Sequence, residues 1–317
     1  MTFGNWKDKN VLITGINGFI GSAVAYKLTT LGANVIGLVK EVNKSTRFGG
    51  CTVLQGDICD PDVVRHAISY YEIDVIFHFA AYAIVRVAAK DPLSTYKVNI
   101  MGTVNLLEAA RTIGKCTSII VASSDKAYGD HDVLPYTENF ALQPKNTYDT
   151  SKACMDMIAR TYAYNYDMPI VVTRCSNVYG PGDSNLSRIV PNSVLRVLRG
   201  ERAQVYSDVS DMTREFIYIE DVVDAYLGLA PVTTDRKGEA YNIGGGGQTK
   251  IYDLVNKITK LAGGTEEPEV LTRDSVFKEI QHQYIDATKL YATTGWKPEV
   301  TLEEGLKKTI EWYGFLI

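Results

Sequence analysis

The run Thr14-Gly15-Ile16-Asn17-Gly18-Phe19-Ile20-Gly21 constrains the fold more than any other stretch of this chain. It comes after the apolar segment 10–13, which reads as a buried strand, and precedes 22–28, whose spacing and residue types are helical. Strand, glycine turn and helix in that order place a pyrophosphate on a helix N-terminus. Gly15 permits the tight turn, Gly18 lets phosphates approach the backbone, and Gly21 lets the helix pack close to the strand. Asn17, Phe19 and Ile20 complete the predicted cradle. An ordinary βα turn can look the same, and the rest of the chain decides between the two.

Beyond residue 28 the chain alternates strand and helix, as a Rossmann-type doubly wound parallel sheet requires. Segments 33–39, 51–57, 74–81, 119–122 and 169–173 read as strands, and 74–81 is apolar enough to be buried on both faces. Segments 94–114 and 146–166 read as long helices. The alternation breaks after residue 174 into a turn-rich stretch with shorter elements. These include helices at 189–200, 222–230, 251–261 and 301–313 and a strand at 241–243, with Asp221 among the residues capping the second helix. The glycine run 244–247 lacks the lysine end of a phosphate loop and reads as a flexible turn. The expected organisation is a dinucleotide-binding domain over 1–175, rejoined by parts of about 215–245, and a smaller mixed α/β substrate domain over 176–317.

Composition removes several classes of function. With 317 residues, 45% hydrophobic, and a net charge of −4 without a basic block, nothing recommends nucleic acid or an anionic membrane as partner. No apolar run approaches the roughly 20 residues that span a bilayer. The first nine residues lack the apolar core of a signal peptide. The 5 cysteines form no CxxC pair and read as reduced thiols of a cytoplasmic protein. The 4 histidines show no metal-ligand spacing, so no metal is expected. Asn43-Lys44-Ser45 and Asn185-Leu186-Ser187 match the glycosylation pattern but carry no weight without secretion.

The end of the second strand bears on the cofactor. An NAD-preferring fold puts an acidic residue there; this chain has Val39 and Lys40, with Lys44 and Arg47 close by. Such cations suit a 2′-phosphate, so NADP is expected, with NAD the alternative. Asp57 and Ile58 would flank an adenine, although Asp57 could instead cap the helix opened by Pro61. Ala80 and Ala81 are small enough for a cofactor to lie against the backbone, and His78 before them reads as a satisfied core histidine.

Chemistry gathers at the end of the strand 119–122, which runs directly into Ser123-Ser124-Asp125-Lys126. Ligands of open α/β sheets bind beyond the carboxyl ends of strands. Tyr148 and Lys152 are four apart on a helix and share one face. An ammonium beside a phenol is expected to lower the tyrosine pKa and make Tyr148 an acid/base near neutral pH.

Together these residues resemble the extended short-chain dehydrogenase/reductase family, the sugar-nucleotide epimerases and dehydratases. The resemblance runs from about Asn10 to Tyr313. It includes His78-Phe79-Ala80-Ala81, Asn99 with Gly102-Thr103, Asn177-Val178-Tyr179-Gly180-Pro181 and Gly295-Trp296-Lys297-Pro298. It implies a tightly bound nicotinamide dinucleotide regenerated each turnover, a nucleoside diphosphate sugar as substrate, and a homodimer built on the helices 94–114 and 148–166. It further implies Asn177, Arg188, Arg214 and His282 as substrate contacts. His282 stands where a second diphosphate arginine is usual. The Ser124-Asp125-Lys126 order is similar to that of a subset of 4,6-dehydratases. In that reading Tyr148 takes the C4 hydroxyl proton, and Asp125 and Lys126 serve as acid and base at C6 and C5. A 4-epimerase would leave Asp125 and Lys126 as bystanders. A non-catalytic NADP-sensing protein would not need Tyr148 and Lys152.

Overall fold

The computed structural model describes residues 4–42, 49–245, 247–272 and 280–317. Seven parallel strands form the central sheet. The first six in chain order are β1 (Asn10–Thr14), β2 (Asn34–Val39), β3 (Cys51–Gln55), β4 (Val75–His78), β5 (Ser118–Ala122) and β6 (Ile170–Cys175). The seventh, Ala240–Ile243, joins from far along the sequence. Across the sheet the order is Ala240–Ile243, β6, β5, β4, β1, β2, β3. The direction of winding reverses between β1 and β4, the place where such sheets bind ligands.

Each side of the sheet has its own core, and the strands feed both by alternation. Val11 and Ile13 belong to one apolar cluster and Leu12 to the other; Ile120 and Ala122 oppose Ile119 and Val121 in the same way. Helices Phe19–Thr30 and Ile219–Leu229 pack together on one face. Helices Pro61–Tyr70, Gly102–Ile113 and Thr147–Tyr166 cover the other. β4, β5 and β6 are buried throughout, which is why apolar residues dominate their sequences.

After β6 the architecture becomes mixed. Asn177–Tyr179 pairs with Phe216–Tyr218, Gln204–Tyr206 with Glu269–Leu271, and Thr213–Arg214 lies between Thr249–Lys250 and His282–Gln283. Helices Ile189–Leu198, Ile251–Leu261 and Leu302–Gly314 pack around these pieces. The last opens on a capping box between Thr301 and Glu304.

Three local expectations need correction, and one alternative, Asp57 as a helix cap, falls away. The helix predicted over 94–114 begins at Pro92, capped by Asp91, and contains a π-helical turn over Lys97–Met101. Within that turn Asn99 is buried and bonds sideways. Its Oδ1 accepts from the Tyr82 amide at 2.7 Å and its Nδ2 donates to Ser151 Oγ at 2.8 Å. The cap before Pro61 is Asp60, so Asp57 is left for other contacts. Asp221 lies inside the helix Ile219–Leu229; its carboxylate accepts from the amides of Glu299 and Val300 and ties down the C-terminal loop. Of the glycines expected to form a flexible turn, Gly244 and Gly245 are packed against Glu215 and Pro298, and the Gly245 amide donates to Glu215 Oε1 at 2.7 Å. Gly246 lies outside the described residues. The structure also contains a short helix, Val85–Lys90, that the sequence pattern does not announce.

Candidate active site

One cleft runs along the C-terminal ends of the strands. The half beside β2, about 390 Å³, is lined by Leu38, Lys40, Asp57, Ile58 and Ala81. The half beside β5 and β6, about 520 Å³, is lined by Ser124, Asp125, Lys126, Tyr148, Lys152 and Asn177. Gly15, Asn17, Ala80 and Ala81 wall both halves.

The glycine turn forms its floor. Gly15 has φ +72°, and a Cβ there would lie 2.8 Å from the Ala80 amide nitrogen. A Cβ on Gly18 would come 3.1 Å from the Gly15 carbonyl, and one on Gly21 would collide with it. Gly18 caps the helix Phe19–Thr30 without a side-chain bond, and no acidic residue occupies its first turn. Its leading N–H groups therefore suit an anionic pyrophosphate. Phe19 and Ile20 begin this helix and line the larger half. The residues present fit a dinucleotide.

At the far end of that cradle, Lys40 Nζ stands 3.3 Å from Asp57 Oδ2. Asp57 Oδ1 also accepts from the Cys59 amide at 2.9 Å. That amide above all, and Lys40 with it, hold the Asp57 carboxyl below its usual range; the bond to Asp57 raises Lys40. Lys44 and Arg47 lie outside the described residues. His78 is a core residue as expected: Thr14 and Thr103 hydroxyls meet its two ring nitrogens at 2.7 and 2.9 Å. Burial, helped by the Lys152 charge, pulls its pKa down to about 3.

Ser124, Asp125 and Lys126 leave β5 on a single 3-10 turn, Asp125–Tyr128. Ser124 Oγ donates to Asp125 Oδ1 at 3.0 Å. Asp125 Oδ2 is buried and has no hydrogen-bond partner among the described residues. Burial raises the Asp125 pKa, against the opposing pull of the Lys126 charge and the Ser124 hydroxyl. The carboxyl thus keeps its proton to higher pH than an exposed aspartate does.

The helix Thr147–Tyr166 delivers Tyr148 and Lys152, started by the Asn146 side chain on the Asp149 amide. Lys152 Nζ donates to the Ala122 carbonyl at 2.7 Å, and burial lowers its pKa to about 7. It can therefore hold or release a proton near neutrality. Tyr148 departs from expectation. Its pKa is raised, not lowered, because burial outweighs the Ser124 hydroxyl that favours the phenolate. With the lysine bonded to a backbone carbonyl, helical spacing alone does not deliver a low phenol pKa.

The remaining predicted contacts are split. Asn177 and Arg188 line the cleft. Asn177 Nδ2 donates to the Glu215 carbonyl at 3.0 Å, and Arg188 pairs with Asp183 at 2.9 Å. Arg214 is buried and donates to the carbonyls of Thr213, Gln281 and Ile280. Its charge is felt at Asp125. His282 is exposed, bonded to the Thr213 hydroxyl at 3.0 Å, and is not among the cleft-lining residues. Its neighbour Gln283 is the one that turns inward, accepting from Lys126 Nζ at 2.6 Å. The strand is only two residues long, so no sequence periodicity signals that Gln283 rather than His282 faces the cleft side. Among the described residues no cluster of metal-ligating side chains occurs, and no helix is long and apolar enough to cross a membrane.

The model of the family described as GDP-mannose 4,6 dehydratase matches residues 12–309. A trifunctional UDP-glucose 4,6-dehydratase/UDP-4-keto-6-deoxy-D-glucose 3,5-epimerase/UDP-4-keto-L-rhamnose-reductase of Arabidopsis thaliana is 33% identical over 322 residues, covering 98% of this chain and 47% of that protein. The chain thus spans about half the length of these plant relatives. The UDP-glucose 4-epimerase of Thermotoga maritima, solved with UDP-glucose, superposes with a TM-score of 0.86 at 30% identity, covering 96% of this chain and 98% of that one. The dTDP-glucose 4,6-dehydratase of Streptomyces venezuelae, solved with NAD and TYD bound, gives 0.86 at 27% identity, covering 96% of each.

Proposed function

The chain belongs to the GDP-mannose 4,6 dehydratase family of the extended short-chain dehydrogenase/reductases, and on that premise we propose that it is an NAD(P)-dependent sugar-nucleotide 4,6-dehydratase. Its substrate is an NDP-hexose and its product the NDP-4-keto-6-deoxyhexose. The observation that carries this reading is the buried Asp125, its pKa raised, adjacent to Lys126 on the wall that also holds Tyr148. Oxidation at C4 alone needs neither residue.

A bound nicotinamide dinucleotide supplies the oxidation at C4 and the reduction at C6. The chain's residues handle the protons. Tyr148 takes the C4 hydroxyl proton as its phenolate, a form that the Ser124 hydroxyl favours against burial, while Lys152 on the same helix exchanges protons near pH 7. The C4 ketone acidifies the C5 proton, which Lys126 removes in its neutral form. Asp125 protonates the departing C6 hydroxyl, so water leaves; when C6 is reduced, the proton held by Lys126 returns to C5, and exchange with solvent resets Tyr148 and Asp125. The 4-epimerase reading draws support from the epimerase likeness, since that fold match is as good as the dehydratase one. Incubation with UDP-, GDP-, CDP- and dTDP-hexoses separates them: a product lighter by one water supports dehydration, and an isomer of unchanged mass supports epimerisation.

Lys40 supports NADP as the cofactor, because it lines the cofactor half of the cleft and offers a 2′-phosphate a cation in place of Asp57. Lys40→Asp should shift preference towards NAD in titrations of both dinucleotides. Equal affinity of the unmodified protein for the two would overturn the NADP assignment.

A homodimer is proposed on the helices Pro92–Tyr96, Gly102–Ile113 and Thr147–Tyr166 and the turn between the first two. Leu93, Met101, Met157 and Tyr164 are large apolar side chains left exposed there. Light scattering at micromolar concentration should give twice the chain mass of 35.1 kDa, and a monomer would refute it. The five cysteines are unpaired in the structure, in keeping with the reducing cytoplasm proposed as its compartment.

A further inference from the structure

Gln283 lies 157 residues from Lys126 in sequence and is fully buried against it. Its Oε1 accepts from Lys126 Nζ at 2.6 Å, and its Nε2 donates to the Asp125 carbonyl at 2.8 Å. The amide orientation is fixed by chemistry, because a lysine only donates and a carbonyl only accepts. One side chain therefore grips the amine of one residue and the backbone of its neighbour.

The strand that carries Gln283 is itself held on several sides. His282 and Gln283 pair with Thr213 and Arg214. The Tyr136 amide donates to the Tyr284 carbonyl at 3.0 Å, and the Ile285 amide to Glu215 Oε2 at 3.2 Å. Glu215 in turn accepts from Gly245. This is a stiff mount for a group whose position matters.

We propose that Gln283 is the positioning residue of the elimination pair, setting where the Lys126 amine stands relative to Asp125. A neutral amide suits that task. It accepts from a lysine in either protonation state, whereas a carboxylate in its place would favour the ammonium and disable a base. The inference rests on the dehydratase reading and extends it: the strand His282–Gln283, beyond the central sheet, becomes part of the elimination machinery.

The test compares the unmodified protein with Gln283→Leu and the isosteric Gln283→Glu, using UDP-glucose and dTDP-glucose across pH. Gln283→Leu should lower kcat for water loss by about 10²-fold, the cost of an ångström-scale misplacement. KM should stay within about threefold, as for a loss confined to the chemical step. Oxidation at C4 should persist, seen as near-ultraviolet absorbance of reduced nicotinamide. Gln283→Glu keeps an acceptor and so keeps turnover at alkaline pH, but loses it near neutrality: the acid-side limb of its pH profile should move up by roughly one to three units, since a carboxylate stabilises the ammonium. Wild-type kcat in Gln283→Leu, a loss only in KM, or an unmoved limb in Gln283→Glu would overturn the inference while water loss by the parent protein upheld the dehydratase reading. An unmodified protein that only epimerises both sugars would overturn both.

Discussion

Lys126→Met should stop water loss while leaving oxidation at C4 intact. Tyr148 and Lys152 sit on a different element, the helix Thr147–Tyr166, and do not depend on the Lys126 amine. The expected signature is accumulation of reduced nicotinamide, with turnover to the 4-keto-6-deoxy product down by about 10²–10⁴-fold, the range of a lost general base. Asp125→Asn should show the complementary defect. An amide cannot protonate the leaving hydroxyl, so C6–O cleavage slows while exchange of the C5 proton with solvent continues. Burial sets the sign of the pH dependence. The Asp125 pKa is raised, so the acid remains protonated to higher pH than an exposed aspartate, and activity that needs it declines as pH rises through that raised value. Full turnover by Lys126→Met would remove the base assignment and favour the epimerase reading.

The sequence is transparent where one local pattern has one physical solution. The glycine turn is such a case: the positive φ of Gly15 and the contact that would block a Cβ on Gly21 result from a strand turning straight into a helix. The apolar runs of β4, β5 and β6 are another, because only strands covered on both faces tolerate them. The site is legible where it rides on these elements, as Ser124, Asp125 and Lys126 do at the end of β5. It is illegible where distant segments meet. Gln283 reaches Lys126 only through the pairing of two-residue strands, too short to leave a periodic signal. Position in the chain points to His282, but the alternation of that strand turns it outward. The Tyr148 phenol departs from expectation for a related reason: spacing gives proximity to Lys152, but burial, which shifts the pKa more, is a property of the assembled fold.

Asp156→Ala should be the most damaging single change to stability outside the cleft. Asp156 and Arg174 are both buried, and they meet through two bonds: Nε to Oδ2 at 2.8 Å and Nη2 to Oδ1 at 3.0 Å. Arg174 Nη1 goes on to the Tyr128 hydroxyl at 3.0 Å and the Glu138 carbonyl at 3.2 Å, and its guanidinium lies 4.8 Å from the Tyr128 ring centre. Burial works against this charge, but Asp156 and Tyr128 hold it firmly ionised, so removing the carboxylate strands a cation in the core. The expected loss is about 3–5 kcal/mol of folding free energy, read as a large fall in the denaturant midpoint at unchanged slope. An exposed ion pair at a similar distance, Lys307 with Glu303 at 2.7 Å, is the control and should show no measurable change on Glu303→Ala. Activity should fall further than stability alone explains. Tyr128 ends the 3-10 turn that carries Asp125 and Lys126, and its hydroxyl donates to Asn242 Oδ1 at 2.7 Å. The network therefore joins β6, the helix Thr147–Tyr166, the seventh strand and the turn Asp125–Tyr128. Pairing Asp156→Leu with Arg174→Met removes both charges and should recover much of the stability, because no unpaired ion remains. It should not recover turnover, since the anchor on Tyr128 is still missing. A double variant as unstable as Asp156→Ala would show that packing volume, not the stranded charge, sets the cost.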